Sequence, residues 1–432
     1  MHRYSYGVTR KQVVDVFGVS NVVLPDSYVD RGALDSEIGA LLCKSTHVAL
    51  RGVSKAGKSW LRQKLIPDAI VIQCRLGKTI ADIYREALGE LDIRLHVNET
   101  RQNTLAGTVE SSGEVGTKLI ARVQAKLGLT RTASSTETIQ SLRQDINDLR
   151  FVADLLLESE RRLVIEDFHY LSADERTQFA FDLKALWDFG VFVVIVGIWS
   201  DRNLLLNLNP DLTGRVREAS IVWSDEDLRR IFDRGGSALD LAFSEQVTSR
   251  AIADCYGNCG ILQRLIADTL EQLNIREKAS TTLQVEDVAA LEHAELFYAE
   301  ELNSVYQTFA ARVSSGIRTR QNATGIYAHA MAVVLAATDN ELIQGVSLDR
   351  IFTESHAREH RIQKGNLRNA LGRIEAMQVD ADGRGLVLAY ADGHVMVVDR
   401  QLLLYRKYST VRWPWEDLIK DAEDSGESFA SV

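Results

Sequence analysis

The run Gly52-Val53-Ser54-Lys55-Ala56-Gly57-Lys58-Ser59 fits G-x-x-x-x-G-K-[ST], a spacing suited to holding a phosphate tail. Glycine at both ends lets the backbone wrap an anion and aim N–H groups at it, and a helix starting directly behind adds positive potential. Lys58 reaches the β- and γ-phosphates, and the Ser59 hydroxyl is a hard oxygen donor for Mg2+. The setting agrees: an apolar run at 46–51 (THVALR) precedes the loop, and SWLRQKL, opening on Ser59 and Trp60, has a helical pattern after it.

Phosphoryl chemistry also needs one acid to hold the metal or its water and a second to polarise an attacking water. Leu163-Val164-Ile165-Glu166-Asp167 supplies both at the end of an apolar strand. The order is inverted from the usual Asp-Glu, so Glu166 takes the metal-associated position and Asp167 the general-base position. His169 either orients a phosphate or water or is structural. Beyond the apolar run 191–197 come Ser200 and Asn203, which compete for a γ-phosphate contact, and Arg202, a loop cation that can equally face solvent. Arg215, and after it Arg217, can stabilise charge on a phosphoryl group of a neighbouring subunit; the competing role is an Arg–carboxylate pair that holds the loop. Arg264 follows a Gly-rich helix entry, Tyr256-Gly257-Asn258-Cys259-Gly260. It either closes over phosphates or lies on a helix surface.

Positioning these groups requires a sheet. The runs 46–51, 70–74, 163–166, 191–197 and 219–223 are short, apolar and separated mostly by helical patterns, which predicts a parallel sheet with helices on both faces. Residues 28–224 form this α/β core, after an N-terminal segment 1–27. A polar, Gly/Ser/Thr-rich stretch at 94–138 reads as an insertion. Strand signals vanish over 225–290, which predicts an all-helical lid, and a connecting helix spans 291–324. Residues 325–412 read as three helices and a hairpin turned at Asp392-Gly393, a winged-helix pattern. Ser347 is the expected N-cap of the second of these helices. An acidic tail, 413–432, is expected to fray. Leu402 to Trp415 closes the winged-helix core through its leucines and Tyr405, with its other aromatic and Arg residues available to a partner.

This order of parts resembles the AAA+ P-loop ATPases, above all the initiator-type and STAND-like members: P-loop, acidic strand end, polar sensor loop, arginines, helical lid, winged helix. The resemblance covers residues 28–410. It implies ATP and Mg2+ as cofactors, ATP-driven or ATP-gated assembly into a homo-oligomer, and an arginine that completes a neighbour's site. STAND-like relatives often carry G-x-P in the lid, whereas here Cys259 stands where Pro would be. Family analogy further implies a switch that controls an oligomer or a partner effector, with bacterial antiviral defence as a natural setting. The alternative is a DNA-binding initiator or transposition-type ATPase, with duplex held through residues 358–373, where Arg358, His360, Arg361, Lys364, Arg368 and Arg373 gather. A small-molecule kinase explains neither lid nor winged helix.

Composition bounds the rest. A chain of 432 residues, 45% apolar and 25% charged, with only four Pro, is a multidomain globular protein and not a disordered or fibrous one. Its net charge of −10 confines any nucleic-acid contact to a local patch. Four scattered cysteines and the absence of a long apolar run predict a reduced, cytoplasmic protein without a membrane segment.

Overall fold

The computed structural model describes residues 10–98, 106–111, 113–126, 149–199, 203–316, 324–378 and 385–425. It separates into two compact units: a sheet unit of Ala33–Gly52 with Leu61–Ile221, and a helical unit that takes in the chain up to Gly32, Val53–Trp60 and everything from Val222 on.

The first half of the chain runs α1 (Leu34–Leu42), β1 (His47–Arg51), α2 (Lys58–Leu65), β2 (Ile70–Gln73), α3 (Ile80–Gly89), β3 (Ile93–Asn98), β4 (Ala106–Ser111), α4 (Glu114–Lys126), α5 (Leu149–Ser159), β5 (Leu163–Glu166), α6 (Ala173–Asp188), β6 (Val194–Gly197), α7 (Leu204–Leu208) and β7 (Val216–Ser220). Five strands form a parallel sheet in the order β2-β5-β6-β1-β7. In a parallel sheet all strands end at one edge, so the chain leaves β1, β5 and β6 on the same side, where α/β folds place their ligands. Val164, Ile165, Val194, Ile195 and Val48 are fully buried, as expected of strands covered on both faces. His47 is buried too: its Nε2–H donates to Leu183 O at 2.8 Å and its Nδ1 accepts from Val193 N at 2.9 Å. Both contacts require a neutral ring, and burial lowers its pKa to about 4.

The strands expected at 46–51, 70–74, 163–166 and 191–197 are present. The expected strand at 219–223 is corrected: β7 ends at Ser220 and starts earlier, at Val216. It is an edge strand with a half-exposed, polar sequence, so the apolar residues just beyond it drew the reading too far. The stretch expected as an insertion contains an antiparallel β3–β4 hairpin and α4.

In the helical unit, α8 (Asp225–Leu239), β8 (Leu241–Phe243), α9 (Glu245–Asp254), α10 (Cys259–Gln272), β9 (Leu283–Val285) and the long α11 (Val288–Ser315) build the lid and its exit. The lid is not all-helical: β8 and β9 pair in parallel, three residues each and too short to show a period. Val13, Val16 and Phe17 from the N-terminal stretch are buried in this lid core, so that stretch is part of the unit and not an appendage.

The C-terminal part runs α12 (Ile326–Val334), α13 (Asp339–Gln344), β10 (Val346–Ser347), α14 (Leu348–Arg358), α15 (Lys364–Leu371), α16 (Ile374–Gln378), β11 (Leu388–Ala391), β12 (His394–Val397), α17 (Gln401–Tyr408) and α18 (Pro414–Ser425). Its small antiparallel sheet has the order β10-β12-β11. The Asp392-Gly393 turn has both residues at positive φ, 50° and 77°, the geometry that Asp-Gly favours. Ser347 caps α14 by accepting from Arg350 N at 3.3 Å. The expected single third helix is instead α15 and α16, interrupted at Gly372-Arg373. Of the tail 413–432 expected to fray, Pro414–Ser425 forms α18, with Trp415 buried, Pro414 at its start and Glu416 and Asp417 in its first turn, residues favourable at a helix N-terminus; 426–432 lie outside the described residues. Leu402, Leu403 and Tyr405 lie in the C-terminal core, whereas Leu404, expected with them, is buried in the lid core.

A polar joint ties lid to C-terminal part. Tyr408 Oη lies 2.6 Å from Glu295 Oε2 and 2.7 Å from Asp254 Oδ2, and Arg250 Nη2 donates to Glu295 Oε2 at 2.7 Å.

Candidate functional site

The loop from Val53 to Trp60 sits within the helical unit, held by three parts of the chain that the sequence places far away. Gly57 has φ +79°, and a Cβ there would stand 3.3 Å from Cys259 Sγ and 3.4 Å from Arg31 Nη1, so glycine is needed for conformation and for space. Lys58, buried, donates from Nζ to Val53 O at 2.6 Å, which folds the side chain back over the loop. Ser59 is exposed, and Trp60 Nε1 donates to Ser20 O at 2.8 Å.

The lid contributes Asn258. Its Oδ1 accepts from Gly260 N and Ile261 N at 2.9 and 3.2 Å, capping α10, while its Nδ2 donates to Ser54 O at 2.7 Å. Gly260 N also donates to Lys55 O at 3.1 Å. A Cβ on Gly260 would lie 2.6 Å from Lys55 Cβ and 2.9 Å from Lys55 O. The Gly257-Asn258-Cys259-Gly260 turn, read as a departure from G-x-P, is therefore the lid's grip on the loop.

A second grip comes from Arg31 and Trp223. Arg31 Nη1 and Trp223 Nε1 donate to Ala56 O at 3.2 and 3.0 Å, and the guanidinium lies over the indole ring at 4.8 Å. The third comes from the C-terminal part. Ser54 N donates to Val398 O at 3.4 Å, and Lys55 Nζ donates to Gln401 Oε1 at 2.6 Å. Gln401 is held in turn by Tyr298 and Asp399, and Tyr306 donates to Asp399 Oδ2 at 2.9 Å. Burial lowers the Lys55 pKa, opposed by Asp399 and reinforced by Arg264. Arg264 itself pairs with Asp268 and Glu301 and stacks on Tyr298.

In the sheet unit, Gly52 follows β1, and the two acids stand at the end of β5. Glu166 Oε1 accepts from Arg62 Nε at 3.0 Å, each side chain only 12% exposed. Asp167 is in the left-handed region, φ +56°, and its Oδ2 accepts from Gln73 Nε2 at 3.0 Å. His169 Nδ1 accepts from Ile198 N at 3.3 Å, and its ring lies tilted against Tyr170 at 4.3 Å. Asn203 is exposed at the start of α7; Ser200 and Arg202 lie outside the described residues. Arg215 lies 4.8 Å over the Trp187 ring and bonds Asp211 O, so it is engaged within its own unit, while Arg217 is exposed on β7. Ser59 belongs to the helical unit and Glu166 to the sheet unit, and each carries a hard oxygen of the kind Mg2+ takes.

Arg31, Trp223, Gln401, Arg62 and Gln73 were not legible as site residues. Only Arg62 left a local sign: it follows Ser59 by three positions, the spacing of one helix face.

The chain is similar to the Walker-type ATPase PABY2304 of Pyrococcus abyssi, with a TM-score of 0.51 and 13% identity over 88% of this chain and 95% of that one. The fold is that of a P-loop ATPase. Weaker likenesses are the Orc1 protein of Aeropyrum pernix in complex with DNA (TM-score 0.38, 11% identity, 89% of this chain and 93% of that) and a STAND protein with a tetratricopeptide repeat sensor, PH0952 of Pyrococcus horikoshii (0.36, 10%, 96% and 46%). No family model matches the chain, and no curated protein matches it.

Proposed function

We propose that the protein binds ATP with Mg2+ and hydrolyses it as an AAA+, STAND-like switch, in which nucleotide state sets the hold of lid and C-terminal part on the phosphate loop. One observation carries this reading: the loop's Lys55 is bonded to Gln401, and its Ser54 to both Asn258 and Val398. A loop that must change its contacts to receive a phosphate changes them for both neighbours at once. Lys58 neutralises β- and γ-phosphate charge, and Asp167 takes the proton of an attacking water once Gln73 lets it turn. Ser59 and Glu166 would each offer an oxygen to Mg2+, and the ion would supply charge neutralisation to the phosphates. Arg217 is the better placed of the two finger candidates, since Arg215 would have to leave Trp187. The C-terminal helices and hairpin act as a winged helix, through which the switch addresses a homo-oligomer or an effector, with antiviral defence as the setting and the cytoplasm as the place. No described helix is long and apolar enough to cross a membrane.

Equilibrium titration of the intact chain with ATP tests the site. Lys58→Ala should weaken binding by about 100-fold, since charge-assisted bonds to two phosphates are lost; unchanged affinity would remove the P-loop reading. The second reading, duplex DNA held through 358–373, is supported by exposed Arg358, Arg368 and Arg373, although Lys364 is paired with Asp349 and Arg361 with Glu359. If it holds, binding weakens with salt and with Lys364→Ala/Arg368→Ala together; no binding at low salt disposes of it.

A further inference from the structure

A buried cation of the helical unit is left over once the loop's contacts are assigned. Arg400, at the start of α17, has its Nε and Nη1 removed from water, and neither has a hydrogen-bond partner among the described residues. Burial alone brings its guanidinium down to about 10. The adjacent acid, Asp399, is taken by Gln401 and Tyr306. A charge buried without a partner is costly, and a planar set of N–H donors matches phosphate oxygens better than any other common anion except a carboxylate.

The residues around Arg400 locate it. Val398 and Gln401, just before and after it, are bonded to Ser54 N and Lys55 Nζ, so this segment abuts the phosphate loop. The Arg400 backbone is already helical, φ −65° and ψ −18°, and it heads the i, i+4, i+7 stripe of α17. Leu404 on that stripe is buried in the lid core and Lys407 bonds Asp254 of the lid, so the stripe faces the lid. Arg400 is its end nearest the loop, where Asn258 and Gly260 of the lid grip Ser54 and Lys55.

We infer that Arg400 is a phosphate-binding residue, contributed by the C-terminal part to the group that the Val53–Trp60 loop holds. The inference deepens the nucleotide reading and rests on it only for the source of the phosphate, which is either a bound nucleotide or free inorganic phosphate. Arg400 answers to the anion itself, whereas Gln401 beside it answers to the loop's Lys55.

The test pairs thermal melts of the full chain without ligand with titrations of ATP and of inorganic phosphate, on wild type, Arg400→Met and Arg400→Lys. Arg400→Met keeps the length of the stem and drops the charge. Without ligand it should melt at or above the wild-type temperature, because an uncompensated buried charge is gone, while its ATP affinity falls about 20-fold. Arg400→Lys should regain part of that affinity, having the charge without the planar donors. If free phosphate is the source, millimolar phosphate should raise the melt of wild type and not that of Arg400→Met, with ATP affinity alike in the two. Melting of Arg400→Met well below wild type without ligand makes the residue a structural one and overturns the inference, and so does equal affinity of the two for both ligands. A wild type that binds no ATP, yet gains from phosphate a stability that Arg400→Met does not, strikes the nucleotide reading and leaves the role of Arg400 standing.

Discussion

The phosphate loop and the acidic end of β5 are secured in opposite ways. The loop's carbonyls at Ser54, Lys55 and Ala56 are bonded by groups at 258, 260, 31 and 223, and its Lys55 side chain by Gln401. The acids have near neighbours: Gln73 ends the strand that pairs with β5, and Arg62 is on α2 of the same unit. Long-range ties make the loop sensitive to the arrangement of lid and C-terminal part, whereas short-range ties make the acids sensitive to what binds beside them. On the proposed function, regulation would belong to the loop and chemistry to the strand end.

That division can be broken in four places. The largest effect is expected at the strand end: Asp167→Asn should cut steady-state ATP hydrolysis by about 100-fold or more while ATP affinity stays within about 3-fold. A wild-type rate would move the base role elsewhere. On the loop, Asn258→Ala removes a helix cap and orphans Ser54 O, which should cost about 2 kcal/mol or more in a denaturant melt; a smaller loss would mean the lid grips the loop by packing alone. Gln401→Ala orphans Tyr298 and Asp399 and should cost about 1–2 kcal/mol in the melt, and it should also speed nucleotide release by about 5-fold, measured by stopped-flow displacement. No change in release would uncouple the C-terminal part from the loop.

The subtlest test is pH, because the two units respond with opposite sign. Burial raises the Glu295 carboxyl from 4.5 to about 7, against the lowering effect of Tyr408 and Arg250. Folding then favours the protonated form, so this contribution is complete below about 4.5 and is lost as pH rises through about 7. One phenolic proton on Tyr408 cannot serve both Asp254 and Glu295, so a second proton on the carboxyl pair fits the distances. His47 works the other way: burial depresses its pKa to about 4, so its contribution is present above 6.5 and lost as pH falls through about 4. Glu295→Gln should gain stability relative to wild type between pH 5 and pH 7.5, by thermal melts; a constant difference would deny the proton to this joint.

What the chain's local pattern discloses is local. The loop motif and β5 could be read directly because glycine spacing and an apolar run ending in acids are contiguous features. β7 was displaced because an edge strand need not be apolar, and β8 and β9 were missed because three residues carry no period. α18 was missed because its acidic surface hid the buried Trp415. The partners of the loop were invisible for another reason. Gln401 lies 346 residues from Lys55, and neither residue type announces a partner; the pairing exists only once the lid and C-terminal part have folded.

Gly260 deserves a final thought as a genetic handle. Its backbone is not in the left-handed region, so alanine there acts by the intrusion of one methyl group onto Lys55 and, at 3.3 Å, onto the capping oxygen of Asn258. That makes it a wedge of minimal size, one methyl group set between the α10 entry and the phosphate loop, and so an allele that would ask in a living cell what the contact between them is for.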